Sequence, residues 1–408
     1  RYKLDDYTPY IYKTEDYGKT WKLITNGINN MHFTRALRAD RKRPGLLYAG
    51  TEFGMYISFD DGASWRPFQL NMPVVPITDM TIKDNDLVIA TQGRGFYVLD
   101  DLGVLQQVNN SVADKKMHVF APAAAVRMQA NPFSGRFGAP RNAGANPPAG
   151  AVVHYLLHEA TDSSQLTISV LDKNKKLIRS YGTGTKEKLE PKDGLNTFAW
   201  NLTYPEAERV EGMILWNGVP GSVTAPPGMY YYRFRSGSDS VEVPFEVKAD
   251  PNYSLTQADY EAQFEFLLAV QQKFNDVQKA VKDIRTLRTQ INEFIARQGK
   301  DCPKEVKDKA TELTKQLTTI EEALYQTKAK SSQDVLNYPI RLNDKLAGLF
   351  DVANSGINPP SKQARDVFAD LSNQADVQLN QLKKIIAEGV PAFNSLIREK
   401  GLPVIRIQ

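Results

Sequence analysis

The feature that most constrains this chain is an eight-residue pattern that occurs twice. It places a hydroxyl residue, an aspartate, a glycine, a second hydroxyl residue and a tryptophan at fixed intervals, starting at residues 14 and 58, which is a period of 44 residues. Repeats of about 40 to 45 residues are typical of the blades of a β-propeller. The two copies consist of Thr14, Asp16, Gly18, Thr20 and Trp21, and of Ser58, Asp60, Gly62, Ser64 and Trp65.

Each copy is predicted to form the turn of a β-hairpin. Extended runs flank both copies, at residues 10–12 and 22–24 around the first and at residues 55–57 and 66–68 around the second. Aspartate in a turn accepts hydrogen bonds from nearby backbone N–H groups, and glycine takes the positive φ of a tight reversal. We expect the tryptophan to pack beneath the turn, and the two aspartates to be structural rather than catalytic.

The pattern resembles the Asp-box, or BNR, repeat S-x-D-x-G-x-[ST]-W of sialidases, xyloglucanases and sortilins. In those families the box is a structural clasp on the rim of a propeller, away from the ligand site. The resemblance implies the same role for these ten residues.

Four parts are predicted along the chain. Residues 1–105 hold the C-terminal blades of a propeller, the last of them with strands at about 77–82, 86–90 and 95–99. Residues 106–150 are rich in Gly, Pro, Ala and Asn and are predicted to be a linker or long loop. Its expected anchors to a neighbouring domain or to a ligand are Phe133, Arg136, Phe137 and Arg141.

Residues 151–250 contain six short strands separated by turns, which predicts an immunoglobulin-like β-sandwich. Within it, residues 211–224 are an insertion whose Trp216 is expected to be covered by the domain, with a sugar-stacking platform as the alternative.

Residues 251–408 follow a helical period and are predicted to form a helical bundle. Apolar residues advance by threes and fours from Phe264 to Phe294, which predicts a helix that begins at a Ser254 or Thr256 cap and ends at about Gln298. Three further helices are predicted to begin at Pro303, at Pro339 and at about Ser361, the last one ending at Gly389. A coiled-coil dimer is the alternative use of the apolar stripe.

A second resemblance lies within the helical part. Residues 337–346 read Asn-Tyr-Pro-Ile-Arg-Leu-Asn-Asp-Lys-Leu, which is similar to a stretch near the C-terminus of large bacterial proteins with sortilin-like propellers. Those proteins are often labelled glycosyl hydrolases because of the propeller. With blades, sandwich and helices in the same order, the resemblance covers essentially the whole chain and implies that it is the C-terminal portion of such a protein.

Composition narrows the possible partners and location. The chain is 41% apolar and 24% charged, with 51 basic and 47 acidic residues and no dense basic stripe, so nucleic acid is not expected as a partner. No run of 18 or more apolar residues occurs, so no membrane-spanning segment is expected.

The chain has a single cysteine, Cys302, which allows no intrachain disulfide. Animal sortilins differ in this respect, because a cysteine-rich module follows their propeller. Because about two blades cannot close a propeller, we expect a longer protein with a targeting signal upstream and a location in the periplasm, on the outer membrane or in the secreted space.

Four residues are candidates for facing a ligand: Glu52, Arg94, Asp100 and Asp101. Glu52 and Arg94 lie in predicted turns on the blade face opposite the boxes, which is the face that propellers usually use for ligands. The alternative is that all four are solvated loop charges. His154 and His158 share one face of a strand beside Glu159, but a metal site needs at least three convergent ligands, so neither a metal nor a cofactor is expected.

The expected function is non-enzymatic. Each strong motif has a structural explanation, which favours a binding or scaffold protein of the bacterial envelope or secreted space, with a protein partner and possible glycan binding. The alternative is a sialidase-like or xyloglucanase-like glycoside hydrolase whose catalytic residues lie mostly in upstream blades. Such hydrolysis needs two carboxylates across the bond, or a tyrosine nucleophile with arginines, and the sequence offers no such set, so the catalytic residues are unassigned. A serine or cysteine hydrolase is not expected, because the chain has no G-x-S-x-G elbow and Cys302 has no histidine near it in sequence.

Overall fold

The computed structural model describes residues 1–128, 144–158 and 166–403. These residues form two compact units. The first contains residues 1–125, 144–158, 166–200 and 229–246, and the second contains residues 126–128, 201–228 and 247–403. The chain is thus a multidomain protein of β-sheets with a C-terminal helical region. Four of the residues named above, Phe133, Arg136, Phe137 and Arg141, lie outside the described residues.

Three antiparallel sheets occupy the N-terminal part of the first unit. A two-stranded sheet contains β1 (Tyr12–Lys13) and β2 (Lys22–Leu23). A four-stranded sheet follows in chain order, with β3 (Thr34–Ala39), β4 (Leu47–Thr51), β5 (Gly54–Ser58) and β6 (Arg66–Pro67). A three-stranded sheet contains β7 (Ile77–Lys83), β8 (Asp86–Thr91) and β9 (Phe96–Leu99). The strands predicted in this region are confirmed to within two residues at each end.

Apolar side chains fill the spaces between these three sheets. Between the four-stranded and three-stranded sheets lie the almost fully buried side chains of Leu46, Tyr48, Met55, Ile77 and Met80. Between the first hairpin and the four-stranded sheet lie Ile11, Ile24, Ala49, Tyr56 and Trp65. Each sheet therefore packs through its side chains against the next sheet along the chain.

The first unit continues with a two-sheet sandwich. Two short helices, α1 (Gly103–Gln107) and α2 (Asn110–Ala113), lead into it. One sheet has the order β10-β12-β15, with β10 (Met117–Val119), β12 (Ala151–Leu157) and β15 (Gly194–Trp200). The other has the order β11-β17-β16-β13-β14, with β11 (Ala125–Arg127), β13 (Thr167–Leu171), β14 (Leu177–Gly182), β16 (Gly228–Ser236) and β17 (Asp239–Ala249). The six strands predicted over residues 151–250 are confirmed, and the predicted linker contains two more, β10 and β11, which its composition did not indicate.

Aromatic rings from both sheets form the core of the sandwich. Trp200 and Tyr232 are fully buried. The ring of Tyr232 lies 5.8 Å from that of Phe198 and 4.3 Å from that of Phe245. The Tyr232 hydroxyl donates to the carbonyl oxygen of Ala151 at 2.6 Å, so the ring is buried with its polar end satisfied.

The second unit is built around α3 (Gln257–Gln298), a helix of 42 residues that is roughly 63 Å long. Thr256 and Asp259 form a capping box at its start, with the Thr256 hydroxyl accepting from the Asp259 N–H and the Asp259 carboxylate accepting from the Thr256 N–H. The predicted cap and the predicted end are confirmed. The other helices are α4 (Lys304–Leu324), α5 (Leu342–Asn354), α6 (Lys362–Lys384) and α7 (Val390–Glu399).

The apolar stripe of α3 packs inside its own bundle. Side chains of α3, α4 and α5 with no exposed surface meet in one core, which includes Val270, Phe274, Val277, Val281, Ile284, Val306, Leu317, Leu324 and Leu346. The predicted internal core is confirmed, because the stripe is buried against helices of the same bundle.

Two predicted helix boundaries are wrong. The third predicted helix does not begin at Pro339, because the backbone is still extended at Arg341, with a ψ of −175°, and α5 begins at Leu342. The last helix does not end at Gly389, which has a helical φ of −66°. A π-helical turn over Ile385–Gly389 connects α6 to α7. A Cβ atom at Gly389 would lie 3.0 Å from the Leu313 side chain, so this glycine permits close helix packing rather than ending a helix.

Residues 201–228 form an irregular segment that is bound to the helices through their polar side chains. Gln271 of α3 donates to the carbonyl oxygens of Pro205 and Gly221 at 3.2 and 2.9 Å. The buried carboxylate of Asp344 accepts from the backbone N–H groups of Trp216 and Asn217 at 2.7 and 2.9 Å. These bonds give the stretch at residues 337–346 a structural role, and they leave Trp216 half-exposed rather than covered.

Candidate functional site

Both eight-residue patterns form the same hydrogen-bonded turn. In the first, the Asp16 carboxylate accepts from the N–H and the hydroxyl of Thr20 at 2.8 and 2.7 Å, and the Thr14 hydroxyl accepts from the Gly18 N–H at 2.7 Å. In the second, the equivalent distances are 2.9, 2.5 and 2.9 Å for Asp60, Ser64, Ser58 and Gly62. Gly18 and Gly62 have φ values of 90° and 85°, as the tight reversal requires. Both aspartates thus stabilise the turn in which they lie.

The hydrogen bonds within the turns lower the pKa of both aspartates. The N–H and then the hydroxyl of Thr20 hold the pKa of Asp16 at about 2. The Ser64 hydroxyl and N–H lower the pKa of Asp60 in the same way. Since an acid with a lowered pKa in the folded state stabilises that state only while it is ionised, both groups lose their contribution as the pH falls.

The two tryptophans of the patterns lie in different environments. Trp65 is 3% exposed, and its Nε1–H donates to the carbonyl oxygen of Ile24 at 2.7 Å. Trp21 is 59% exposed, and its Nε1–H donates to Gly18 of its own turn at 3.1 Å. The predicted packing beneath the turn is therefore confirmed for Trp65 and wrong for Trp21. Residues 24–27 pack against the second box, and among the described residues no equivalent segment covers Trp21.

Lowering the pH is expected to show how much the ionised aspartates of the two boxes contribute to the stability of the protein. Between roughly pH 4 and pH 2 the wild-type protein should lose melting temperature more steeply than the variant with Asp16→Asn and Asp60→Asn, because the variant has no box carboxylate to protonate. Melting followed by tryptophan fluorescence from pH 5 to pH 2 measures the difference. Asp100→Asn is the opposite-sign control, since the pKa of Asp100 is raised. Equal slopes for the wild type and the double variant would contradict the prediction.

Glu52 is held by an arginine. Its carboxylate accepts from Arg35 Nε at 2.5 Å, and both side chains are 26% exposed. The Arg35 guanidinium also lies over the rings of Phe33 and Tyr2, 5.2 and 5.9 Å from their centroids. Tyr2 and Phe33 are stacked 4.7 Å apart. Glu52 therefore belongs to a cation–aromatic cluster beside the β4–β5 turn.

Two of the candidates, Arg94 and Asp100, are exposed to solvent. Arg94 lies in the turn between β8 and β9, and it makes no ion pair or hydrogen bond with the residues that the structure describes. Partial burial, and then the nearby Asp86 carboxylate, raise the pKa of Asp100 above its ordinary value. A carboxyl group that donates a proton needs a raised pKa, and Asp100 meets that requirement.

Asp101 belongs to a polar network that reaches the sandwich. Its carboxylate accepts from Asn85 Nδ2 at 2.8 Å and from the Gly103 N–H at 2.9 Å, and it lies 3.6 Å from His154 Nε2. The other ring nitrogen of His154 lies 2.9 Å from the Thr197 hydroxyl. The contact with His154 is the main cause of the lowered pKa of Asp101. His154 thus connects β12 to the three-stranded sheet.

The structure does not join the four candidates into one site. Across residues 1–128, 144–158 and 166–403, no ion pair or side-chain hydrogen bond connects Glu52, Arg94 and the two aspartates to one another. Over the same residues, no group of three His, Cys, Asp or Glu side chains could hold a metal ion; Glu159 lies outside them. The assignment of these residues to a ligand face stays a prediction.

Sequence reasoning missed two residues that organise this region and the helical one. Arg35 was not singled out because nothing in the spacing of residues 35 and 52 indicates that they meet. Asp344 was noticed only as part of a motif, although it is the carboxylate that binds the loop around Trp216. The only sequence signal for it is an acidic residue in the first turn of an amphipathic helix, and that signal does not show that the residue is buried.

Comparisons with known proteins do not assign the chain to a family. No family model matches it, and no curated protein does. Among solved structures, it is similar to the extracellular domain of a protein named as a one-component system of B. thetaiotaomicron, with 9% identity and a TM-score of 0.20 over 59% of this chain and 28% of that chain. A chain named pT26-6p matches with 13% identity and a TM-score of 0.13, over 58% of this chain and 48% of that one. The first match therefore covers little more than a quarter of the other protein's length, and both TM-scores are too low to argue a shared fold. In the part of the chain that the structure describes, no helix combines the length and apolarity needed to cross a membrane.

Proposed function

We propose that this chain is a non-enzymatic binding or scaffold protein of the bacterial envelope or secreted space, and that its three N-terminal sheets are blades of a sortilin-like Asp-box propeller. The observation that carries the proposal is that Glu52 is paired with a neighbouring side chain. Its carboxylate is paired with Arg35, which itself lies over two stacked rings. A general acid or base must be able to reach the substrate, whereas a paired carboxylate in an aromatic cluster offers a preformed polar surface to a partner.

Two features of the fold support the propeller part of the proposal. The four-stranded sheet packs through apolar side chains against the sheets before and after it in the chain. The turns after β1 and β5 both carry a box, and the second box rests on residues 24–27, which follow β2. The proposal also accounts for the exposed Trp21, because a further sheet would cover it as residues 24–27 cover Trp65. The sandwich, as an immunoglobulin-like domain, and the helical bundle would then attach the propeller to a partner protein. The resemblance to bacterial Asp-box proteins supports a location outside the cytoplasm.

A glycoside hydrolase is the second candidate, and one observation favours it. Slight desolvation and then the Asp86 carboxylate raise the pKa of Asp100, which is the direction of shift that a catalytic acid needs. In that case Asp100 would donate a proton to a glycosidic oxygen, with further catalytic residues supplied by upstream blades.

One experiment distinguishes the two candidates. The full chain is immobilised and incubated with an envelope fraction, and it is separately assayed for release of reducing sugar from glucans, xyloglucans and sialosides. We expect a specific protein partner, retained by the Asp60→Ala variant and lost by the variant with Arg35→Ala and Arg94→Ala, with no sugar released. Turnover that disappears in Asp100→Asn while the melting temperature is unchanged would establish the hydrolase instead.

A further inference from the structure

We propose that a groove between α3 and α7 binds a single-chain anionic amphiphile, such as a fatty acid, with its acidic head at Arg297 and Arg398. This inference concerns the helical unit alone and is independent of the proposed function. The groove encloses about 650 Å³, which is within the range of roughly 300 to 1,000 Å³ that is typical of small-molecule sites.

The walls of the groove are mostly apolar. Its floor is formed by four buried side chains, Ile291 and Phe294 of α3 and Phe393 and Ile397 of α7. The Phe294 and Phe393 rings meet edge to face at 6.2 Å. Leu287, Val390 and Pro391 extend the apolar surface, and Gln290 and Asn394 are the uncharged polar members of the lining.

The two charged residues of the lining lie at the same end. Phe294 contacts Phe393, and Gln298 at the end of α3 donates to the carbonyl oxygen of Pro403, beyond the end of α7. The two helices therefore run side by side in the same direction, which puts Arg297 beside Arg398 and Leu287 beside Val390. From Leu287 to Arg297 the helix rises about 15 Å, so the groove has one basic end and a long apolar remainder.

The basic end is not neutralised by the lining, which contains two guanidinium groups and no carboxylate. Arg297 has only a distant partner, Glu293, at 3.8 Å, and Glu293 is itself 62% exposed. The Nε atom of Arg297 is buried and has no hydrogen-bond partner among the described residues, and a buried unpaired donor is unfavourable. Guanidinium groups pair readily with carboxylate or phosphate, so the charge at this end matches an anionic head.

A second groove in the same bundle provides the contrast. It encloses about 540 Å³ between α4 and the α6–α7 region, and its charged lining residues are two lysines and two glutamates. Lys309 pairs with Glu312 at 2.9 Å, and Lys384 lies 4.0 Å from Glu388. Because those charges compensate one another, an anion is expected to select the α3–α7 groove. The short length of that groove, under three helical turns, favours an alkyl chain over a partner helix.

Calorimetric titration of the full chain with laurate, below its micelle concentration, tests the proposal. We expect saturable binding of one laurate, weakened at least about tenfold in the variant with Arg297→Met and Arg398→Met, because methionine keeps the apolar stem but removes the charge. Dodecanol should bind the wild type and this variant with equal, weaker affinity. Gln290→Trp, which fills the groove and leaves both arginines in place, should also abolish binding.

The matched control is the variant with Lys309→Met and Lys384→Met in the second groove, which should bind laurate as the wild type does. Helical circular dichroism of every variant confirms that the bundle is intact. The proposal is overturned if laurate does not bind, if it binds equally well after loss of both arginines, or if the protein binds only intact phosphatidylglycerol vesicles, which would indicate a membrane surface as the ligand.

Discussion

Replacing Trp65 with alanine is expected to lower the free energy of unfolding by about 3 to 5 kcal/mol, as for other buried tryptophans. The indole is 3% exposed, packs in the layer between the first hairpin and the four-stranded sheet, and donates to the carbonyl oxygen of Ile24. Its removal would leave both a cavity and an unpaired carbonyl group. The amides of β4 and β5 should then exchange hydrogen much faster, which measures the loss locally in a chain that need not unfold in one step.

Trp21 is the matched control for this prediction, because it occupies the same position in the same pattern. It is 59% exposed and its nitrogen bonds only to its own turn, so Trp21→Ala is expected to cost less than about 1 kcal/mol. Similar losses for the two variants would show that the indole acts through the turn itself. In that case the packing against residues 24–27 would not be the source of stability.

Removing two arginines from the helical bundle is expected to be about as damaging. Glu321 is 2% exposed, and its carboxylate accepts from Arg285 Nε at 2.8 Å and from Arg288 Nη1 at 2.5 Å. The variant with Arg285→Met and Arg288→Met keeps much of the apolar volume but leaves a buried carboxylate unpaired, which typically costs about 3 to 5 kcal/mol. Urea unfolding followed by helical circular dichroism measures this loss.

A third substitution separates lost charge pairing from lost packing. Adding Glu321→Leu to the two arginine changes removes the buried charge, so most of the lost stability should return. No recovery would mean that the arginines stabilise the bundle through their stems and through the cation–aromatic contact of Arg285 with Tyr325, 5.3 Å away. A double variant as stable as the wild type would refute the prediction outright.

The parts of the fold that could be predicted are those whose signal is local. Extended runs beside the two boxes located β1 and β5, and a helical period with a Ser254 or Thr256 cap located the start of α3. The turn chemistry of the two boxes followed from residues at most four positions apart. In each case the residues that interact are close in sequence, so their spacing is the evidence for their contact.

The contacts that could not be predicted join distant residues. Arg35 and Glu52 are 17 positions apart and Arg285 and Glu321 are 36 apart, and no spacing rule connects them. The exposure of Trp21 depends on which segment packs against its turn, and the pattern alone does not contain that information. The candidate ligand residues follow from strand order alone. Strand order predicts which turns lie on the same face of a blade, but it does not predict which side chains in those turns are already paired with another residue.

The turn formed by the eight-residue pattern leaves three of its side chains outside its own hydrogen bonds. Its hydrogen bonds use the hydroxyl residues, the aspartate, the glycine and the backbone, while the three remaining positions differ between the copies, as Glu15, Tyr17 and Lys19 against Phe59, Asp61 and Ala63. One such residue from each copy, Glu15 and Asp61, forms an ion pair with Lys13, at 2.6 and 2.5 Å. The middle one of these positions is left-handed in both copies, with φ values of 58° at Tyr17 and 60° at Asp61, so its backbone is constrained although its side chain is not. A turn whose hydrogen bonds fix five positions can be duplicated along a chain while the side chains of the other three give each copy a surface of its own.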